Sequence, residues 1–200
     1  MPRCTFPPPG SSVTCAVSGG ADSTALLVLA VASGCSVAAV HVDHQLRPGS
    51  ADELAMVERT AAILGVAVRG VTVDVGHGPN LEARARAARY DALPPGVLTG
   101  HTADDQAETV LINLLRGAAT DGLAGMRPGW KHPILALRRH ETEALCIAAG
   151  LETITDPSNA DRAMLRNRIR HEILPLLGTA AGRDLVPVLA RQAALLRDDA

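Results

Sequence analysis

The sequence predicts an α/β fold, a parallel five-stranded sheet flanked by helices with a C-terminal helical extension, and three observations predict it. Short β-branched apolar runs alternate with longer apolar runs of helical period. Two of the strand-like runs lead straight into polar residues, and ligands of open parallel sheets sit at that end of the strands. The first strand-like run meets the first helix-like run across a glycine-rich turn, Ser18-Gly-Gly-Ala-Asp-Ser23. Two hundred residues hold one sizeable α/β domain and the beginning of a second. The expected division is an extended leader over 1–12, a main domain over 13–150 and a basic linker opening a helical region over 151–200.

The leader is Pro-rich and lacks an apolar signal core. Residues 13–17 read as the first strand, and residues 25–31 as a buried helix that begins at Ser23 or Thr24. Between them, Gly19 and Gly20 open backbone conformations closed to other residues and let amides approach a ligand. The helix start adds free amides and a positive dipole end, so a phosphate is well served there. A Walker loop would need a lysine after its last glycine, but the only lysine is Lys131. The candidate phosphate site is therefore the backbone and hydroxyls of Ser18, Gly19, Gly20, Ala21, Asp22 and Ser23. Asp22 either holds a Mg²⁺ that the phosphates share or is a plain helix N-cap.

Residues 36–42 read as a second strand that runs into His41-Val-Asp-His44, which brings Asp43, His44 and Arg47 near the glycine turn if the two strands are neighbours. Ser50 and Glu53 form a capping box for a helix with Leu54, Val57, Ala61 and Leu64 inward, ended by Gly65. Residues 66–73 supply a third strand, and Asn80 caps a helix reaching Leu93. On it Glu82, Arg86 and Arg89 share a stripe that reads as a solvated face with an internal ion pair. Residues 97–100 read as a fourth strand running into His101-Thr-Ala-Asp-Asp-Gln-Ala-Glu108.

Thr102 or Asp104 caps the next helix, from about Asp105 to Arg116, with Val110, Leu111, Leu114 and Leu115 inward. Asp104, Asp105 and Glu108, with His101 before them, either complement the helix dipole or form a cluster suited to Mg²⁺, a cationic substrate or an amine that must lose a proton. Arg116, at the far end, complements the dipole there. A Gly-rich connection leads to a fifth strand at 132–137 and a helix at 139–149 with Leu145 and Ile147 inward. After the turn Asp156-Pro-Ser-Asn159 comes the one basic cluster, Arg162, Arg166, Arg168, Arg170 and His171. Ile169, Ile173, Leu176 and Leu177 give the same segment an apolar stripe, leaving the arginines as a solvated or phosphate-binding face. An Ala/Leu-rich helix follows from Thr179.

Composition narrows the function classes. A net charge of −2 excludes a uniformly basic RNA-coating protein and leaves room for a local basic patch. Phe6, Tyr90 and Trp130 are the only aromatics, so stacking on aromatic platforms is not the expected mode of nucleic-acid binding. The four cysteines, 4, 15, 35 and 146, form no C-x-x-C pair, which argues against a zinc or iron–sulfur site and for a reduced, cytoplasmic protein. No apolar run reaches the roughly eighteen residues that span a bilayer, so no membrane partner is expected.

Ser18-Gly-Gly-Ala-Asp-Ser23 resembles the pyrophosphate-loop (PP-loop) signature of the ATP pyrophosphatases, which cut ATP between its α and β phosphates. His41-Val-Asp-His-Gln-Leu-Arg-Pro-Gly-Ser50 and Gly100-His-Thr-Ala-Asp-Asp-Gln-Ala-Glu-Thr109 resemble the segments of the tRNA(Ile)-lysidine synthetases within that superfamily. The likeness continues through Leu114-Leu-Arg-Gly117, Gly122-Leu-Ala-Gly-Met126, Asp156-Pro-Ser-Asn159 and Arg166-Asn-Arg-Ile-Arg-His171, and so spans about residues 13–177.

The resemblance implies a Rossmann-like sheet of the adenine nucleotide alpha hydrolase type, with 13–150 as a PP-loop ATP-binding catalytic domain. It implies ATP and Mg²⁺ as cofactors, and as substrates free L-lysine and a tRNA(Ile) with a CAU anticodon, whose wobble cytidine is adenylated and then joined to lysine. Asp22, His101, Asp105, Glu108 and Arg116 are the expected catalytic residues, with Asp22 on the metal. Asp43, His44, Arg47, Arg86, Arg166, Arg168 and Arg170 are expected to face substrate or tRNA. Family members commonly continue into further tRNA-gripping domains, so 151–200 is expected to be the truncated start of a helical tRNA-binding region; a homodimer is a further expectation. The rivals are tRNA thiolation, which generally uses a cysteine pair, an amidating synthetase, and a non-catalytic nucleotide-binding module of the same fold.

Overall fold

The computed structural model describes residues 2–43, 45, 50–76, 78 and 81–198, with backbone alone at 50, 51, 81–83, 158 and 160. Strands β1 (Ser12–Ala16), β2 (Ser36–Asp43) and β3 (Ala67–Thr72) form a parallel sheet in that order, with Val13 beside Val37 and Val40 beside Arg69. Helices α1 (Ala21–Ala32) and α2 (Ser50–Ile63) make the crossovers that parallel strands require. Leu26, Leu27 and Ala30 of α1 and Val57 and Ala61 of α2 bury their apolar faces against Cys15, Val17 and Ala39. The leader is extended but tied down: Thr5 N donates to Pro133 O (2.8 Å), Gly10 N to Gly34 O (2.7 Å), and Phe6 packs on the core.

The sheet has three strands rather than the expected five. Residues 97–100 do run parallel to β1, on the side away from β2, but only Leu98 bridges Cys15. Ala16 N donates to Leu98 O (2.9 Å) and Leu98 N to Thr14 O (2.8 Å), after which the chain leaves the ladder and Thr99 N turns to Lys131 O (2.9 Å). In 132–137, Pro133 has no amide to donate, and Leu135 and Leu137 bond back to His132 and Ile134 as turns. That run is apolar because Ile134 is fully buried in the core, and apolarity alone does not distinguish a buried turn from a buried strand.

Beyond the sheet, α3 (Leu81–Ala92) precedes Leu93, which joins Val97, Ala16 and Val40, with Tyr90 of α3 against them. Then come α4 (Ala103–Leu115), the short α5 (Thr120–Leu123) and α6 (Arg139–Ala148). A 3₁₀ turn (Pro157–Ala160) leads to α7 (Leu165–Arg168), a π turn (Ile169–Ile173) and α8 (Leu174–Ala181), which run on as one helical stretch. The helix expected from Thr179 is broken: Gly182 takes φ 63° and α9 (Val186–Asp198) leaves at 94°. Among the described residues no single helix is long and apolar enough to cross a membrane.

Three expected helix faces differ. On α4, Val110 and Leu111 are buried as expected, but Ile112 takes the place of Leu114 and Leu115, which are exposed. On α6, Thr142 and Cys146 face inward and Ile147 is 79% exposed. On α7–α8, Ile169 meets Leu111 and Ile112, whereas Leu176 and Leu177 are exposed and two arginines of the basic cluster turn inward. On α7–α8 the cause is the buried carboxylate of Glu108, which draws countercharge to the inner face. The region after residue 150 packs on the domain before it, with Val186 and Leu189 of α9 against Ala103 and Ala107 of α4.

Candidate active site

The chain visits β2 and β3 before returning to the other side of β1, so the strand order reverses between β1 and residues 97–100. A crevice opens at the carboxyl ends of the strands at such a reversal. The glycine turn rises on one side of it and His101 to Glu108 on the other.

The turn is held from below. Gly19 takes φ 86°, and a Cβ there would lie 2.4 Å from Ile154 Cδ1. Ile154 N donates to Gly19 O at 2.9 Å. The Ser23 hydroxyl donates to Gly20 O (2.9 Å) and accepts from Ser18 N (3.1 Å). Gly20 is the extended N-cap of α1, and the amides of Gly19, Gly20, Ala21 and Asp22 have no acceptor among the described residues. Four free donors on a helix start form an anion cradle. Gly100 shapes the opposite wall, because a Cβ there would stand 2.7 Å from Asp22 O.

Because α1 begins at Ala21, Asp22 lies in its first turn and is not the N-cap. Its carboxylate is hydrogen-bonded by the Thr142 hydroxyl and lies 3.6 Å from Arg139 Nε. Burial pushes the Asp22 carboxyl up to about 6, against the pull of Thr142 and Arg139. This carboxylate is short of positive charge.

Across the crevice the acids are saturated. Glu108 has no exposed side-chain surface and accepts from Arg170 Nε (2.7 Å) and Nη2 (3.1 Å) and Arg139 Nη2 (3.2 Å), with Arg166 Nε at 3.9 Å. Asp105 accepts from Thr102 N (2.9 Å) and Oγ1 (3.0 Å), which caps α4, and its other oxygen meets Arg139 at 3.2 Å. Burial pushes its carboxyl up, but Arg139, His101 and the Thr102 amide outweigh burial and hold it below the usual range. Asp104 takes the fork of Arg138 at 3.0 and 3.1 Å. Arg139 thus reaches Asp22, Asp105 and Glu108 at once.

His101 Nδ1 lies 2.8 Å and His132 Nδ1 2.7 Å from the same Thr99 hydroxyl, which donates to Lys131 O (3.1 Å). One hydroxyl carries one proton, so both imidazoles donate from Nδ1 and keep Nε2 as an acceptor. The rings meet edge to face at 4.9 Å. Burial, with the neighbouring His132, Arg86 and Arg166 charges, lowers His101 to about 4 despite Asp105, so it is neutral at pH 7.

The structure does not bring every expected residue here. Arg116 is the exposed C-cap of α4, eleven residues beyond Asp105 and about 16 Å along the axis. Asp43 accepts from Gln45 N (2.8 Å) beside it, and His44 and Arg47 lie outside the described residues, as do Asn80 and the side chains of Ser50 and Glu82. Arg86 lies over the Tyr90 ring (4.9 Å), Arg168 is exposed, and Arg166 and Arg170 are turned to Glu108. Sequence reasoning missed Arg138, Arg139 and Thr142. The signal was present: an arginine pair directly follows the apolar run 132–137, the same pattern that marked Asp43 and His101.

Comparison with known proteins adds the lineage. The chain is 45% identical over 207 residues to the tRNA(Ile)-lysidine synthase of Rhodococcus erythropolis (strain PR4 / NBRC 100887), covering 96% of this chain and 62% of that protein. It is 43% identical over 203 residues to the enzyme of that name from Nocardia farcinica (strain IFM 10152), covering 97% and 64%. The chain therefore spans less than two thirds of the length of these relatives. The U34-tRNA thiolase NcsA of Methanococcus maripaludis, solved with its 4Fe-4S cluster, superposes with a TM-score of 0.75 at 17% identity, over 94% of this chain and 73% of that one, which shows a shared fold. The PP-loop domain model matches residues 4–177, taking in the glycine turn, both walls of the crevice and the arginines that close it, and to that family this chain belongs.

Proposed function

We propose that this chain carries the catalytic part of a tRNA(Ile)-lysidine synthetase acting in the cytoplasm. It would adenylate the wobble cytidine of a CAU-anticodon tRNA(Ile) and join it to free L-lysine, releasing AMP and pyrophosphate. One observation carries the reading: free turn amides and an undercompensated Asp22 face, across one crevice, an acid–arginine network built on a segment that resembles the lysidine synthetases. The four free cysteines fit a reducing compartment. The proposal includes a homodimer, read by light-scattering mass.

The residues fit a nucleotide with Mg²⁺. Among the described residues no three His, Cys, Asp or Glu side chains group as a metal site, so Asp22 would share the ion with phosphate oxygens and water, as Mg²⁺ prefers. Held there, Mg²⁺ would neutralise charge on the leaving pyrophosphate. The amides of Gly19, Gly20, Ala21 and Asp22 would orient the phosphates. The cytidine O2 attacks the α phosphorus and pyrophosphate departs; the lysine ε-nitrogen then bonds to C2, AMP leaves with the C2–O2 oxygen, and the amine gives up its proton. Asp105 and Glu108 would seat the ε-ammonium as Arg139 gives way, and the neutral His101 Nε2 offers a nearby acceptor.

The test is incubation with radiolabelled lysine, ATP and tRNA(Ile) bearing or lacking the wobble cytidine. Label in the first RNA alone, with AMP and pyrophosphate, is the expected result; ADP and phosphate would overturn it. Asp22→Ala should keep the far-UV circular dichroism and lose ATP–pyrophosphate exchange.

A further inference from the structure

We propose that the turn at residues 129–132 is a docking surface for single-stranded RNA, with Trp130 stacked on a nucleobase neighbouring the reacting one and Lys131 and Arg86 on its phosphates. The inference rests on the reading of this chain as an RNA-modifying enzyme. Gly129 bridges His132, and His132 N donates to Gly129 O at 2.9 Å, so Trp130 and Lys131 form the tip of a two-residue turn. Trp130 is 62% exposed and belongs to none of the apolar clusters among the described residues.

The turn is fastened to the crevice. Lys131 O accepts from Thr99 N (2.9 Å), and His132 shares the Thr99 hydroxyl with His101. Arg86 is held over Tyr90 on α3, its Nη2 3.4 Å from the phenol oxygen, and its charge and that of Lys131 both act on His132. From Gly122 to His140 the sequence has no Asp or Glu, and it carries Arg127, Lys131, Arg138 and Arg139. An exposed aromatic face flanked by cations, with no carboxylate in the same stretch, suits a base and its phosphates better than an apolar protein surface. The scarcity of aromatics leads to the expectation that stacking is not the mode of nucleic-acid binding, and the exposed Trp130 is the observation that sets this proposal against that expectation.

Trp130 is the only tryptophan, so its emission reports this surface alone. The probe is a fluorescein-labelled anticodon stem-loop with a CAU loop, followed by anisotropy, and its unlabelled form, followed by Trp130 emission. Quenching that saturates with the anisotropy curve is expected. Trp130→Ala should weaken binding about 5- to 100-fold, Trp130→Phe should restore most of it, and Lys131→Gln should flatten the salt dependence. Binding with unchanged emission, or Trp130→Ala with wild-type affinity, overturns the docking surface and leaves the proposed function standing. A stem-loop that does not bind the wild-type chain also overturns the docking surface, and the lysine-incorporation assay decides the proposed function separately.

Discussion

Glu108→Gln is the most informative single change, because a fully buried carboxylate holds guanidiniums from two different parts of the chain. Glutamine keeps the shape, removes the charge, and presents an NH₂ where an arginine donor now points. Arg139 and Arg170 keep about a fifth of their side-chain surface exposed, so the charges left behind remain mostly desolvated. A hydrogen bond to a charged group contributes about 1.5–3 kcal/mol, and breaking one side of a buried pair costs about 3–5 kcal/mol. Asp105 still faces both arginines, which points to the lower end, about 3 kcal/mol. For a chain of this size that is a drop of roughly 6–12 °C in Tm. Urea unfolding followed by circular dichroism reads it, with Arg170→Gln completing a double-mutant cycle. A loss under about 0.5 kcal/mol at unchanged m-value would refute the claim that this network ties the Leu165–Ala181 stretch to α4.

Other outcomes follow from the same geometry. Gly100→Ala should cost about 1–3 kcal/mol and weaken ATP binding, measured by urea unfolding and calorimetry, since its Cβ would meet the Asp22 carbonyl rather than a movable side chain. His101 is neutral in the fold down to about pH 4, so its contribution to stability is intact above pH 6.5 and is lost as pH falls from 6.5 towards 4, to a limit of about 3 kcal/mol. His101→Gln should remove that slope from urea midpoints measured between pH 7 and 4. Arg139→Ala should lower the Tm of the free protein yet enlarge the Tm rise produced by Mg²⁺ and ATP, because Asp22 then loses the one guanidinium within 4 Å of it among the described residues.

The parts legible in the sequence were those set by local rules. The glycine turn, the first three strands and the α2 stripe follow from backbone freedom and apolar period, and they stand where expected. The fourth and fifth strands failed because a short apolar run says that a segment is buried, not how its amides are satisfied; Gly100 and Pro133 settled that question through contacts far along the chain. The inward arginines were hidden for a related reason. A helical stripe is normally read as apolar inside and charged outside, and the rule inverts where a buried Glu108 draws Arg166 and Arg170 to the inner face. The π turn at Ile169–Ile173, which has no sequence signature of its own, lies where Ile169 and Arg170 both meet α4.

Ile154 packs under Gly19, which makes residue 150 a poor place to cut the chain. A fragment ending there would lack both the prop beneath the nucleotide turn and most of the countercharge for Glu108. The Leu165–Ala181 stretch is in this sense part of the nucleotide site's foundation, because its arginines hold the same carboxylate that Arg139 reaches from the other side.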